Sequence, residues 1–206
     1  MNYIFWDFNG TVLDDAKLCY EILNEMLVEE GRPAVTFEEY LMIFTFPVEA
    51  YYAKVYDLNK TSFTVLAHRF IERYQPRSLS LKLHDHVIDV IKHFEKEGFV
   101  NVLLSASEEK NLKDQLKHYQ IEHLFPYVLG TKNIYAKSKV SVAKSFIEEM
   151  NINPKDITMI GDTLHDAEVA KELGCEIIIY TKGHQHPSRL QNYRNIDNFT
   201  DLIGKI

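Results

Sequence analysis

The sequence predicts an α/β protein, a Rossmann-like parallel sheet core with an inserted helical cap. Two patterns predict it. Short runs rich in β-branched and aromatic residues alternate with segments whose apolar residues lie three and four apart. One long stretch, residues 16–80, breaks that alternation with helical periodicity alone. Strands alternating with helices imply right-handed crossovers and a sheet covered on both faces, which places a ligand at the carboxyl ends of the strands.

The elements follow in order. Residues 3–7 form the first strand. Residues 16–80 then carry helical segments: Cys19, Ile22, Leu23, Met26 and Leu27 share one face, and further segments cover 37–44, 48–56 and 62–74. Hinges are expected just after Asp15 and at Gln75-Pro76-Arg77-Ser78, because proline disfavours helix at its neighbour. A helix with Val87, Val90, Ile91 and Phe94 on one face leads to strands at 100–104 and 127–129. Ser138 opens the helix that buries Ala143, Phe146 and Ile147, and strands at 157–160 and 176–180 complete the sheet.

Composition excludes several classes. The 206 residues are 46% hydrophobic and 26% charged, which suits a folded chain with a sizeable core. A formal charge of −7 argues against nucleic acid as a partner, since phosphate-backbone affinity needs clustered Lys and Arg. No apolar run approaches the roughly 18 residues of a membrane span and the start carries no basic leader, so no membrane and a cytoplasmic location are expected. Cys19 and Cys175 fit no metal-ligand spacing and read as small buried hydrophobes. A monomer or weak dimer is expected.

Chemistry-bearing residues gather at the predicted strand tips. Asp7 ends the first strand, with Gly10 in the turn after it. Ser105 ends the second, Lys139 follows the third, and Asp162 tips the fourth, with Asp166 one helical turn on. A carboxylate can attack phosphorus, splitting one hard displacement into two easier ones. Mg²⁺ held by carboxylates offsets the repulsion of the approaching anions, while Lys and hydroxyl or backbone donors hold the remaining oxygens. The inventory suits phosphoryl transfer on a small phosphorylated metabolite.

Asp7-Phe8-Asn9-Gly10-Thr11, Ser105, Lys139 and Gly161-Asp162-Thr163-Leu164-His165-Asp166 stand in the order and spacing of four motifs. Through them the sequence resembles the haloacid dehalogenase (HAD) superfamily over essentially its whole length, in members similar to phosphoglycolate phosphatase and β-phosphoglucomutase. The resemblance implies a HAD-like Rossmannoid core of residues 1–15 and 81–206 and a cap of residues 16–80. It implies Asp7 as nucleophile, a catalytic set completed by position 9 and Lys139, and phosphate binding by Gly10, Ser105, Ala106 and Lys139. Mg²⁺ would be bound by Asp7, the main-chain carbonyl of Asn9 and Asp162, with Asp166 orienting Lys139 or supporting the metal shell. The expected reaction is Mg²⁺-dependent hydrolysis through an aspartyl phosphate.

Asn9 departs from the family, which places a second Asp there to carry the proton. An amide exchanges no proton near neutral pH, so a slow phosphatase is implied. A phosphotransferase or mutase, or a weakened sensor of a phosphorylated ligand, are the alternatives. Asn9→Asp would be expected to speed alkyl phosphate hydrolysis by something like 10²-fold, and His165, Asp14, Asp15 or a cap residue are candidates for a replacement proton carrier. Lys137 competes with Lys139, which is preferred for its place after Ser138. The pairs His84 with His86 and His184 with His186 read as residues of solvated loops. Phe44, Phe46, Tyr51, Tyr52 and Tyr56 read as the cap's own core.

Overall fold

A computed structural model describes residues 1–135 and 139–206. In chain order, β1 (Tyr3–Trp6) is followed by α1 (Ala16–Glu29), α2 (Phe37–Ile43), α3 (Val48–Val55), α4 (Phe63–Ser78) and α5 (Val87–Lys96). Then come β2 (Val100–Glu108), α6 (Glu109–His118), β3 (Tyr127–Thr131), α7 (Val140–Glu149), β4 (Ile157–Gly161), α8 (Leu164–Leu173), β5 (Glu176–Tyr180) and β6 (Asn195–Ile196).

Every residue of β1 is buried, as a strand covered on both faces requires. Its side chains alternate between two cores. Ile4 and Trp6 enter one with Ile91 and Phe94 of α5 and Leu112 and Leu116 of α6. Tyr3 and Phe5 enter the other with Ala143 and Phe146 of α7 and Val169 and Ala170 of α8. The six strands form one sheet in the order β3-β2-β1-β4-β5-β6, parallel at each pairing. The chain moves outward from β1 through β2 to β3, then crosses back to set β4 on the other side of β1. That reversal opens a crevice at the carboxyl ends of β1 and β4, the two strands whose tips carry Asp7 and Asp162.

Helices α1 to α4 build a separate core in which Ile22, Leu23 and Met26 of α1 meet Tyr40, Tyr51, Tyr52 and Leu66. The segments that enter and leave these helices run side by side. Leu13 and Leu83 form an antiparallel bridge, Asp14 N–H donates to Lys82 O and His84 N–H to Val12 O.

Three local expectations change, and a sixth strand is added. Pro76 lies inside α4, which continues to Ser78, so 75–78 is a last helical turn and not a hinge. Pro76 has no N–H to give, but this turn is tied down by tertiary bonds. Arg77 reaches Glu21 and Glu25 on α1, and the Gln115 side chain donates to Ser78 Oγ. β2 runs past residue 104 to Glu108, its register against β3 shifting between Leu104 and Glu108, so Ser105 and Ala106 sit within the strand and not beyond its tip. β6 has two residues, too few to show any alternation. Lys139 takes the position before the first turn of α7; the expected Ser138 cap and the competitor Lys137 lie outside the described residues.

Candidate active site

Asp7 is the first residue beyond β1, and its N–H donates to Ile160 O of β4, which seats it against the neighbouring strand tip. The chain then folds back on itself: the N–H groups of Thr11, Val12 and Leu13 converge on the Phe8 carbonyl. Gly10 makes this possible with φ +76°, and a Cβ there would lie 2.4 Å from Asp162 Oδ2. Both the backbone conformation and the close carboxylate require glycine.

Lys139 is buried and binds three groups across two strand tips. It pairs with Asp7 Oδ1 and with Asp166 Oδ1 (2.7 Å), and donates to the Leu104 carbonyl (3.1 Å). Burial works against its charge, but the Asp166 and Asp7 carboxylates outweigh that and hold the ammonium above its ordinary range. Asp166 Oδ2 accepts from Thr163 N–H (2.9 Å), Thr163 Oγ1 (2.7 Å) and Asp162 N–H (3.2 Å). Asp166 thus closes the capping box of α8 while fixing Lys139. Burial pushes it up, yet Lys139 prevails and holds its carboxyl low. Asp162 Oδ1 accepts from Thr11 Oγ1 (3.1 Å) and Oδ2 from His184 N–H (2.7 Å).

The carboxylates of Asp7, Asp162 and Asp166 offer oxygens within 4.8 Å of one another. Among the described residues Lys139 pairs with Asp7 and Asp166, and His184, paired with Asp15, acts on Asp162, so four buried acids with Asp15 included face two cations. The consequence appears in their titration. Burial raises Asp7 well above the usual range against the pull of Lys139, and burial lifts Asp162 to about 7 against the pull of His184. A buried surplus of hard oxygen anions fits a divalent cation of the Mg²⁺ type.

Beside this cluster lies a second buried network. Asp15 is fully buried. Its Oδ1 accepts from Gly10 N–H (2.7 Å) and faces His184 Nε2 at 3.0 Å, while its Oδ2 accepts from Tyr74 Oη (2.6 Å) and Asn9 Nδ2 (2.8 Å). Asn9 Nδ2 also donates to Tyr74 Oη (2.6 Å), and Asn9 Oδ1 accepts from Ser107 Oγ (2.8 Å). His184 Nδ1 meets Tyr40 Oη at 2.8 Å. Burial disfavours both charges, but Asp15 raises His184 to about 9, and His184, Tyr74 and Asn9 hold Asp15 below its ordinary range.

A cavity between the sheet tips and α3–α4 is lined by Asp7, Asn9, Lys139, Ser105, Ala106, Asp162 and Asp166. Gly10, expected to bind phosphate, is not in the lining, and its N–H is committed to Asp15. His184 is buried against Asp15 and not solvated, because the loop carrying it packs under the cap; the His84 side chain is also largely buried, beside Tyr180. Phe44, Phe46, Tyr51 and Tyr52 join the cap's core and also line the cavity. Cys19 is buried there, whereas Cys175 is partly exposed. Ser107, Tyr40 and Tyr74 carried no signal of their own in the sequence, for their partners are remote.

The model of the haloacid dehalogenase-like hydrolase family matches residues 4–180, and the chain belongs to that family. It is an enzyme of the phosphoglycolate phosphatase-like branch. A phosphoglycolate phosphatase of Vibrio cholerae is 24% identical over 213 residues, spanning 98% of this chain and 94% of its own. An N-acetylmuramic acid 6-phosphate phosphatase of Pseudomonas putida is 22% identical, spanning 96% of this chain and 91% of its own. The crystal structure of a predicted phosphatase from Clostridium acetobutylicum shares the fold with a TM-score of 0.85 at 19% identity, over 99% of this chain and 97% of that one. Among the described residues no helix is long and apolar enough to cross a membrane.

Proposed function

We propose that the protein hydrolyses the phosphate monoester of a small metabolite, in a Mg²⁺-dependent reaction through an aspartyl phosphate on Asp7. One observation carries the reading: Asp7 stands at the strand-order reversal with Lys139 paired to it and Asp162 beside it from the neighbouring strand tip. Asp7, Asp162 and the Asn9 carbonyl would hold Mg²⁺, which when bound offsets the repulsion between carboxylate and phosphate. Asp166 positions Lys139, whose ammonium turns from the Asp7 carboxylate to a phosphate oxygen as the ester arrives. Ser105 and the Ala106 main chain line the same wall and offer further donors.

A carboxylate oxygen of Asp7 bonds to phosphorus as the ester P–O bond breaks, and the bridging oxygen leaves with the electron pair. Water then adds at phosphorus, freeing orthophosphate and the carboxylate. Asn9 moves no proton in either step, so esters with stable leaving groups should react fastest. Asp7→Asn should abolish turnover with Mg²⁺, and mass spectrometry of quenched wild-type enzyme should find a phosphoryl adduct on Asp7. Wild-type rates in the Asp7→Asn enzyme would overturn the mechanism.

A further inference from the structure

Away from Asp7 the cavity changes character. Val48 and Tyr51 of α3 and Phe63, Ala67, Phe70 and Ile71 of α4 form its far wall. The whole cavity, its phosphate end included, has a volume of about 130 Å³, so the part beyond the phosphate is smaller than the roughly 150 Å³ of an apolar cavity that admits benzene. Polar groups reaching this space are mostly spent on each other. The Tyr74 hydroxyl goes to Asp15, Lys139 to Asp7 and Asp166, and His184 to Asp15 and Tyr40. Among the described lining residues no cation is left to meet a second anion on the substrate. Gln75, Glu108 and Asn111 line the cavity as partly exposed polar side chains, and among the described buried lining atoms one has no partner. His165 stacks on Phe46 with ring centres 4.5 Å apart, is 8% exposed, and its Nε2 is buried with no partner.

A leaving group with its own carboxylate or phosphate would lose its hydration against aromatic rings without a compensating charge. We propose that the ester this site accepts carries an uncharged, mainly apolar leaving group no larger than about one ring, with His165 Nε2 as a polar contact. The proposal rests on the phosphatase reading of the same site and narrows it, since it separates this chain from phosphatases that act on small esters with a second anionic group, such as phosphoglycolate.

The test compares 2-phenylethyl phosphate, ethyl phosphate and 2-phosphoglycolate with Mg²⁺, all primary alkyl esters of similar intrinsic reactivity. The expected kcat/KM for 2-phenylethyl phosphate is about 10²-fold above both others, the advantage that burying one ring confers. Phosphoglycolate turning over as well or better would overturn the inference and leave the phosphatase reading standing. If none of the three reacts and p-nitrophenyl phosphate is inert too, the phosphatase reading fails, and calorimetry decides the inference by itself. Tighter binding of 2-phenylethylphosphonate than of phosphonoacetate would support it. Equal or reversed affinities would overturn it.

Discussion

Asn9 looks, along the chain, like a carboxylate lost. In three dimensions it is the neutral donor that a neighbouring acid needs, since its Nδ2 lies 2.8 Å from Asp15 Oδ2. Asn9→Asp would remove that donor and set two carboxylates against each other in a buried place. The variant should therefore lose roughly 3 kcal/mol of stability in urea unfolding and fail to accelerate alkyl phosphates, and Asp15→Asn in the same chain should recover most of the loss. The departure at Asn9 was legible in the sequence; its reason was not. His184 and Asp15 are 169 positions apart and Tyr74 and Asp15 are 59 apart, so no local spacing announces the network. The acids at Asp7 and Asp162 were legible because each closes its own apolar run. The same network predicts a pH response. With His184 raised to about 9, the folded protein binds more protons than the unfolded chain between about 6.5 and 9. Stability from the Asp15 pair is fully present below that window and is lost as pH rises through it. Thermal unfolding of metal-free protein should show this decline, and His184→Asn should flatten it.

At the scale of elements, α2 shows how the cap is held down. Its seven residues begin with a capping box of Thr36 and Glu39. Its other end is satisfied from the loop after β5. Arg189 Nη1 donates to Met42 O (3.1 Å) and Phe44 O (2.6 Å), Gln185 Nε2 to Phe44 O (2.9 Å) and His186 N–H to Leu41 O (3.1 Å). These bonds serve the orphan carbonyls of a helix terminus, and they join the loop that carries His184 to the helix that carries Tyr40. Arg189→Ala should raise KM several-fold with kcat little changed, and should speed amide exchange at residues 37–55. Unchanged exchange there would show that the grip lies elsewhere. Periodicity revealed α1 to α4 as helices because each has an apolar face to bury. The passage of α4 through Pro76 was hidden, since its support comes from α1 and α6.

At the scale of the whole molecule, β1, β4 and the first turn of α8 place three acids about Lys139 at the start of α7, and the fold bears their excess negative charge. Mg²⁺ binding the native state alone at 100 times its dissociation constant would add about 2.7 kcal/mol, roughly 5 to 10 °C in Tm for a chain of this size. Asp162→Asn should abolish that gain in differential scanning fluorimetry; an undiminished gain would place the cation elsewhere. The antiparallel bridge of Leu13 with Leu83 bears on how such a molecule can change. Helices α1 to α4 depart from the sheet and return to it at neighbouring points, separated by about the 5 Å between adjacent strands. A segment whose two ends meet is a cassette: it can be lengthened, recomposed or exchanged while the gap it leaves stays the same width. Selection can therefore rewrite the far wall of the cavity without disturbing the aligned strand tips beneath it, as long as Tyr40 and Tyr74 keep their bonds to His184, Asp15 and Asn9.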